Sequence, residues 1–269
     1  MIQEVLATLR IAMTLSFLLY ASWKDYESRE VSNSVWIFFA PLAFALTFTE
    51  LFLFDPAQLL FYAMCVGLTV AFAIILFYAG AFGGADSKAL MCIALALPFY
   101  PEELFIPLIS ETSPIMNIFF PLTIFTNSVL FAALTAVIML IYNAIWPLKT
   151  GRPLFEGDQK KESLGKRILV LMTGYKVSIS KLKEKWHVYP MEDVQQTETE
   201  LKRKLVLIPK DEGRNDIVER LDKAVSSGAI QDKVWATPGL PMLIFVTAGL
   251  IAALLLGDII WAFVHLILG

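Results

Sequence analysis

Two aspartates stand beside long apolar runs. Asp86 closes the tetrad Gly83-Gly84-Ala85-Asp86, between one apolar stretch and the next, and Asp25 follows the first stretch of the chain. A carboxylate held close to hydrocarbon is costly to charge and tends to mark a functional position. The two glycines beside Asp86 let the backbone approach a neighbour closely or take conformations that other residues avoid. Two carboxyls brought close together cannot both ionise easily, so one keeps a proton and the pair titrates as a unit. That arrangement suits peptide hydrolysis: the ionised member takes a proton from water, while the neutral member hydrogen-bonds the scissile carbonyl and later protonates the leaving amine. The sequence leaves open which aspartate plays which part.

Other hydrolytic chemistries lack their residues. Cys65 and Cys92 both fall inside apolar runs, where free cysteine behaves as a small buried hydrophobe, and they are too far apart in sequence for a Cys-x-x-Cys zinc module. The two histidines, His187 and His265, lie in different parts of the chain, and no Gly-x-Ser-x-Gly elbow occurs. No metal, cofactor or nucleic-acid partner is expected.

The elements that must position the aspartates are membrane helices. The chain of 269 residues is 57% hydrophobic with 20 Phe and has a mean hydropathy of +0.64, well above a soluble domain's roughly 45–50% apolar content. Six stretches are long and apolar enough to span about 30 Å of hydrocarbon: Ile2 to Ala21, Val35 to Leu53, Ala57 to Ala81, Ala89 to Ile109, Ile115 to Trp146 and Leu240 to Leu268. Pro98, Pro101, Glu102 and Glu103 interrupt the far end of the fourth. Met1 to Leu9 carries no basic region, so the first run reads as a span and not as a cleaved leader.

Charge gives the expected topology. Of 22 Lys and Arg residues, 18 lie between Leu148 and Ala236; the others are Arg10, Lys24, Arg29 and Lys88. Loops one and three are basic, whereas loops two and four carry only Glu50, Asp55, Glu102, Glu103 and Glu111. Basic residues mark the cytoplasmic side, so both termini should lie outside the plasma membrane, with Asp25, Asp86 and the polar insert in the cytoplasm. The expected fold is therefore an all-α bundle of six transmembrane helices with a small α+β cytosolic domain inserted before the last helix: helices one to five over 1–147, the insert over 148–236, and helix six over 237–269.

Within the insert, Ile168 to Met172, Lys176 to Ile179 and Leu205 to Ile208 read as short strands, rich in Val and Ile. Asn215 to Ser226 reads as a helix. Lys181 to Trp186 and Glu198 to Lys204 fit helix or loop. Plainer readings stand beside the catalytic one. Asp86 alone suits a helix N-cap, Asp25 a solvated loop charge, Lys88 a topology determinant that snorkels to the interface, and Ser32 and Asn33 the cap of the second span. Arg10 and Asp258, inside spans one and six, are expected to pair or to snorkel outward as structural groups.

The combination resembles a family. Asp25, Val31-Ser32-Asn33 and the run from Gly83 to Leu90 are similar to the GxGD aspartyl proteases of membranes, and within them to the archaeal preflagellin and prepilin peptidases. Trp235-Ala236-Thr237-Pro238-Gly239-Leu240-Pro241 is similar to the proline-rich segment that opens the last span in that family. The resemblance covers essentially the whole chain. It implies catalytic roles for Asp25 and Asp86, backbone positioning by Gly83 and Gly84, and a site-supporting role for Pro238, Gly239 and Pro241. It departs at Ala85, where the family name has a second glycine, and at Ser32, where bacterial prepilin peptidases frequently have proline. The cysteine-rich cytosolic module of the bacterial enzymes is missing, so their N-methylation is not implied.

The resemblance also implies a substrate: a preflagellin or pilin-like precursor whose short basic leader precedes a hydrophobic helix. Glu27 and Glu30, near Asp25, would attract a basic leader, although Lys24 and Arg29 offset them. The glycines at 80, 83 and 84 suit a segment that moves, so the expectation is that the aspartates stand apart until substrate or domain motion joins them. The alternative from another class is a small six-helix transporter or channel with a cytosolic regulatory domain. In it Arg10 and Asp258 would mark a path and the aspartates its mouth.

Overall fold

The computed structural model describes residues 2–109, 113–196, 201–207 and 213–268. Its helices are α1 (Ile2–Ser28), α2 (Asn33–Phe54), α3 (Leu59–Tyr78), α4 (Gly84–Ala96), α5 (Pro114–Ile118), α6 (Phe120–Thr150), α7 (Leu164–Thr173), α8 (Ile179–Glu184), α9 (Arg214–Ser226), α10 (Met242–Leu255) and α11 (Ile259–Leu268). The chain divides into two compact units, Met1–Ala132 with Pro241–Gly269, and Ala133–Leu240; the division falls within α6.

The first unit is helical. Four of its segments are long and apolar enough to cross a membrane: α1, α2, the stretch Pro56–Tyr78, and α6, which continues beyond the unit. A fifth is obtained if α10 and α11, bent by 63° at their junction, count as one. The fourth expected span is not among them. The stretch Ala89 to Ile109 is not one helix, because α4 stops at Ala96 and Pro98 follows. At 13 residues α4 is about 20 Å long, short of the hydrocarbon thickness.

A helix that ends inside an apolar unit leaves carbonyls without partners, and lipid offers them none. Neighbouring side chains supply the bonds. Arg10 Nη1 and Thr47 Oγ1 both donate to Ala96 O, each at 3.1 Å, Tyr62 Oη donates to Leu95 O at 3.1 Å, and Cys65 Sγ donates to Pro98 O at 3.5 Å. Arg10 also pairs with Glu50 at 2.7 Å, with both side chains buried. This corrects two expectations. Glu50 lies inside α2 and not in a loop, and Arg10 is paired with it and not with Asp258.

The break between α10 and α11 is resolved in the same way. Gly257 has φ 91°, a conformation that favours glycine. Asn127 donates to Gly257 O at 2.9 Å and accepts from Ile259 N at 3.2 Å, and Asp258 accepts from Trp261 N at 3.0 Å, capping α11. Where α10 crosses α6 the contact is close: a Cβ on Gly249 would stand 2.1 Å from Ser128 Oγ.

The second unit carries a small sheet region. Strands β1 (Tyr175–Val177), β2 (Val188–Pro190) and β5 (Val234–Pro238) form an antiparallel sheet in the order β1-β5-β2, and β3 (Glu192–Gln196) pairs with β4 (Leu201–Leu205). Helix α9 lies where the apolar spacing put it, packing Val218 and Leu221 against Val177, Val188 and Val234. One expected strand is a helix: Ile168 to Met172 falls in α7. Ser163 accepts from Lys166 N and caps it, Leu164, Ile168 and Met172 recur every fourth residue, and Gly174 ends it. Lys202 to Lys204, expected as helix or loop, lie in β4, where Arg203 is held by Glu192 and Glu156. Ile208 and Glu198 to Glu200, at the ends of two expected elements, lie outside the described residues.

Candidate active site

Asp25 opens the last turn of α1. Its register is set by hydrogen bonds between α1 and α10. Ser22 Oγ donates to Leu243 O at 2.8 Å, Ser22 and Thr247 share a hydroxyl contact at 2.7 Å, and Thr247 Oγ1 lies 3.4 Å from Leu18 O. Leu18, Ser22 and Asp25 share one face of α1 by helical spacing. Asp25 Oδ2 therefore meets the start of α10 and accepts from Leu243 N at 3.3 Å, where the helix's free amides favour negative charge.

Asp86 lies in the first turn of α4, just ahead of the apolar run that begins at Ala89. The N-cap is Gly83, not Asp86, and Asp86 Oδ2 reaches back to accept from Gly83 N at 3.0 Å. Of the two neighbouring glycines, Gly83 serves close approach, whereas Gly84 has room for a side chain. A Cβ on Gly83 would stand 3.0 Å from that Oδ2, and one on Gly84 would meet Phe77 at 3.7 Å. The glycine with a positive φ is Gly80, at 71°, which ends α3. Ala85 packs partly buried against the core of the first unit, so its methyl has a place.

Burial pushes the Asp86 carboxyl up to about 6; the Gly83 N–H opposes this, the charge of Asp25 adds to it and the charge of Arg29 reduces it. Asp25 and Asp86 are thus electrostatic neighbours. Among the described residues no hydrogen bond joins their carboxyls. Each accepts from the first backbone amides of a different helix.

Of the other residues singled out by sequence, Lys88 and Asn33 meet: Lys88 Nζ donates to Asn33 Oδ1 at 2.6 Å, tying α4 to the start of α2. Ser32 caps α2 by accepting from Ser34 N. Glu27 is exposed and paired with Lys24 at 2.7 Å, and Glu30 is exposed. In the second unit, Pro238 ends β5 opposite Val188, and Gly239 N donates to His187 O at 2.9 Å. A Cβ on Gly239 would stand 3.3 Å from that oxygen. Pro241, in the first unit, is the N-cap of α10.

Sequence reasoning missed Ser22, Thr247 and the Leu243 amide, because isolated hydroxyls in apolar runs carry no pattern. It also passed over Arg29 as a site residue. Arg29 has φ 59°, its N–H bonds to Asp25 O at 3.2 Å, and its Nε and Nη1 are buried without partners. A non-glycine residue in that conformation is a signal of local constraint that only coordinates reveal. Among the described residues no group of three or more His, Cys, Asp or Glu is placed to hold a metal ion.

Two family models match the chain. The model of the type IV leader peptidase family matches residues 12–142, and that of the archaeal peptidase A24 C-terminus, type II, matches residues 166–259. Among curated proteins, the chain is similar to the preflagellin peptidase of Methanococcus maripaludis, at 23% identity over 255 residues, covering 90% of this chain and 92% of the relative. It is similar also to the preflagellin peptidase of Methanococcus voltae, at 26% identity over 255 residues and 92% and 94% coverage. The preflagellin peptidase of Methanocaldococcus jannaschii is 24% identical over 246 residues, with 90% and 91% coverage.

Proposed function

The chain belongs to the type IV leader peptidase family, and on that premise we propose that it is a membrane aspartic endopeptidase. Its substrate is a preflagellin or type IV pilin-like precursor, from which it removes the short basic leader at the cytoplasmic face. The observation that carries the reading is the pairing of Asp25 with Asp86: two carboxylates in one helical unit, each seated at the first amides of a helix, and near enough for the charge of one to raise the pKa of the other.

Burial favours the neutral form of Asp86, so we assign it the one proton that such a pair shares and leave Asp25 to activate water. Arg29 limits the repulsion when both carboxyls face substrate. Because each carboxyl has its own backbone partner in this state, the reactive arrangement requires a movement of α1 with α10 toward the start of α4, on binding substrate. Glu27 and Glu30 are the acidic groups within reach of a basic leader on the α1 side, and Pro241, the N-cap of α10, shapes the start of that helix.

In this reading the bundle has six spans, with α4 a short span completed by the irregular chain after it. The insert and both aspartates are cytoplasmic, and both termini lie outside. The basic residues of loops one and three support that orientation. A transporter path through Arg10 and Asp258 finds no support, since Arg10 is committed to Glu50 and Ala96 O and Asp258 caps α11.

The test is cleavage of a leader-bearing precursor in proteoliposomes holding the protein. Asp25→Asn and Asp86→Asn, made separately, should each reduce turnover by about 10²–10⁴-fold or more, the scale of acid–base catalysis. Full proteolysis in either variant would end the dyad mechanism.

A further inference from the structure

The second unit contains a cavity that the proposed reaction does not use. It has a volume of about 420 Å³ and is lined by Tyr142 and Trp146 from α6, Tyr175 from β1, Lys181 in α8, Lys185 just after it, and Lys233 before β5. Lys185 is the cap that ends α8, and its N–H donates to Lys181 O at 3.0 Å, so the two lysines stand together at the end of that short helix. No Asp or Glu lines the cavity, and none of these three lysines makes an ion pair among the described residues. The nearby carboxylates are committed: Asp232 accepts from Ile179 N at 2.8 Å, and Asp222 pairs with Lys183. Three unneutralised cations around one concavity describe an anion site.

Its place in the unit indicates which anion. Asn143, fully buried on α6, donates to Leu171 O at 2.8 Å and to Gly174 O at 2.7 Å, which fixes the end of α7 against the apolar part of α6. Beside it, α6 exposes Ile141, Ile145 and Leu148, and α7 exposes Leu164, Ile168 and Leu169. A helix with an exposed apolar face next to a membrane span lies in the interfacial plane. Tyr142 and Trp146 are the residue types that sit at headgroup depth. The cavity therefore opens where lipid phosphates are.

We propose that this pocket binds the phosphate of an anionic lipid headgroup, held by Lys181, Lys185 and Lys233 between the rings of Tyr142, Trp146 and Tyr175. Basic pockets beside membrane helices have this use, and the volume lies in the range of small-ligand sites. The site anchors the second unit to the bilayer surface.

The test uses the full chain purified in a neutral detergent and titrated with phosphatidylglycerol, with retained lipid counted by native mass spectrometry. Wild type should retain phosphatidylglycerol over phosphatidylcholine. Lys181→Glu with Lys185→Glu should bind it roughly 10-fold more weakly or worse, given about a factor of five per basic group near an anionic surface. The milder Lys181→Gln with Lys185→Gln should fall between the two, and unchanged precursor cleavage in that variant shows that the fold is intact. Equal retention in wild type and both variants overturns the proposal. So does displacement of the lipid by inorganic phosphate at matched concentration, which would assign a free anion, or by poly-glutamate, which would assign an acidic peptide.

Discussion

Asp25 accepts a hydrogen bond from the backbone amide of Leu243, 218 residues away in sequence, at 3.3 Å. The last turns of α1 and the first of α10 thereby form one structural element of the proposed site. Ser22 and Thr247, a turn away on each helix, hold the two in register.

Removing that clasp should loosen Asp25 without removing it. Ser22→Ala combined with Thr247→Val is expected to cost about 1–3 kcal/mol of stability, the worth of two or so hydrogen bonds, and to lower kcat for precursor cleavage more than it raises KM. Thermal unfolding in detergent together with steady-state kinetics checks it. An unchanged kcat in a destabilised variant would show that the clasp is structural only.

Arg29 should tune the pair. Its charge lowers the Asp86 pKa from what burial and Asp25 impose, so Arg29→Gln should move the limb of the pH–rate profile governed by Asp86 toward higher pH. Arg29→Lys should largely restore it, since the effect is one of charge. A limb that stays put in Arg29→Gln would separate Arg29 from the dyad.

The Arg10–Glu50 pair should behave as a buried ion pair that also completes α4. Glu50→Ala leaves the guanidinium buried and unpaired and is expected to cost roughly 3–5 kcal/mol. Arg10→Met costs the Ala96 carbonyl one of its two donors. Melting temperatures of the single and double variants should show strong non-additivity, the double variant being less harmed than the two singles summed.

Lys176 offers a pH test in the second unit. It is 6% exposed, its Nζ lies over the Trp235 ring at 4.9 Å, and burial holds its pKa down to about 8 from 10.5. Between those values the unfolded chain carries the proton and the folded chain does not, so stability rises with pH across the window and the charged form is penalised below it. Lys176→Met should remove that slope and stabilise β1 and β5 at neutral pH by about 3 kcal/mol. Hydrogen exchange of the β1 and β5 amides, in wild type and variant from pH 7 to 10, reads this directly.

The aspartates stood out as candidates in the sequence because histidines, cysteines and serine elbows offered no rival chemistry, and Gly83-Gly84-Ala85-Asp86 is a local string. The membrane class and helix α9 were equally legible, since composition and apolar spacing are properties of the string itself. The stretch Ile168 to Met172 was not, because a short run of Ile, Leu, Val and Met suits strand or helix equally; Ser163 as cap and Gly174 as stop decide it for α7. The shortness of α4 hung on partners contributed by Arg10, Thr47, Tyr62 and Cys65, none of which is near it in sequence. The sequence by itself determined which residues carry reactive groups and how much of the chain avoids water, because these follow from side-chain type and local order. Only the tertiary structure decided that Asp25 belongs with Leu243, that Glu50 answers Arg10, and that α4 ends at Ala96. Each depends on a backbone or charged group finding, across the fold, the partner that a non-aqueous interior makes obligatory.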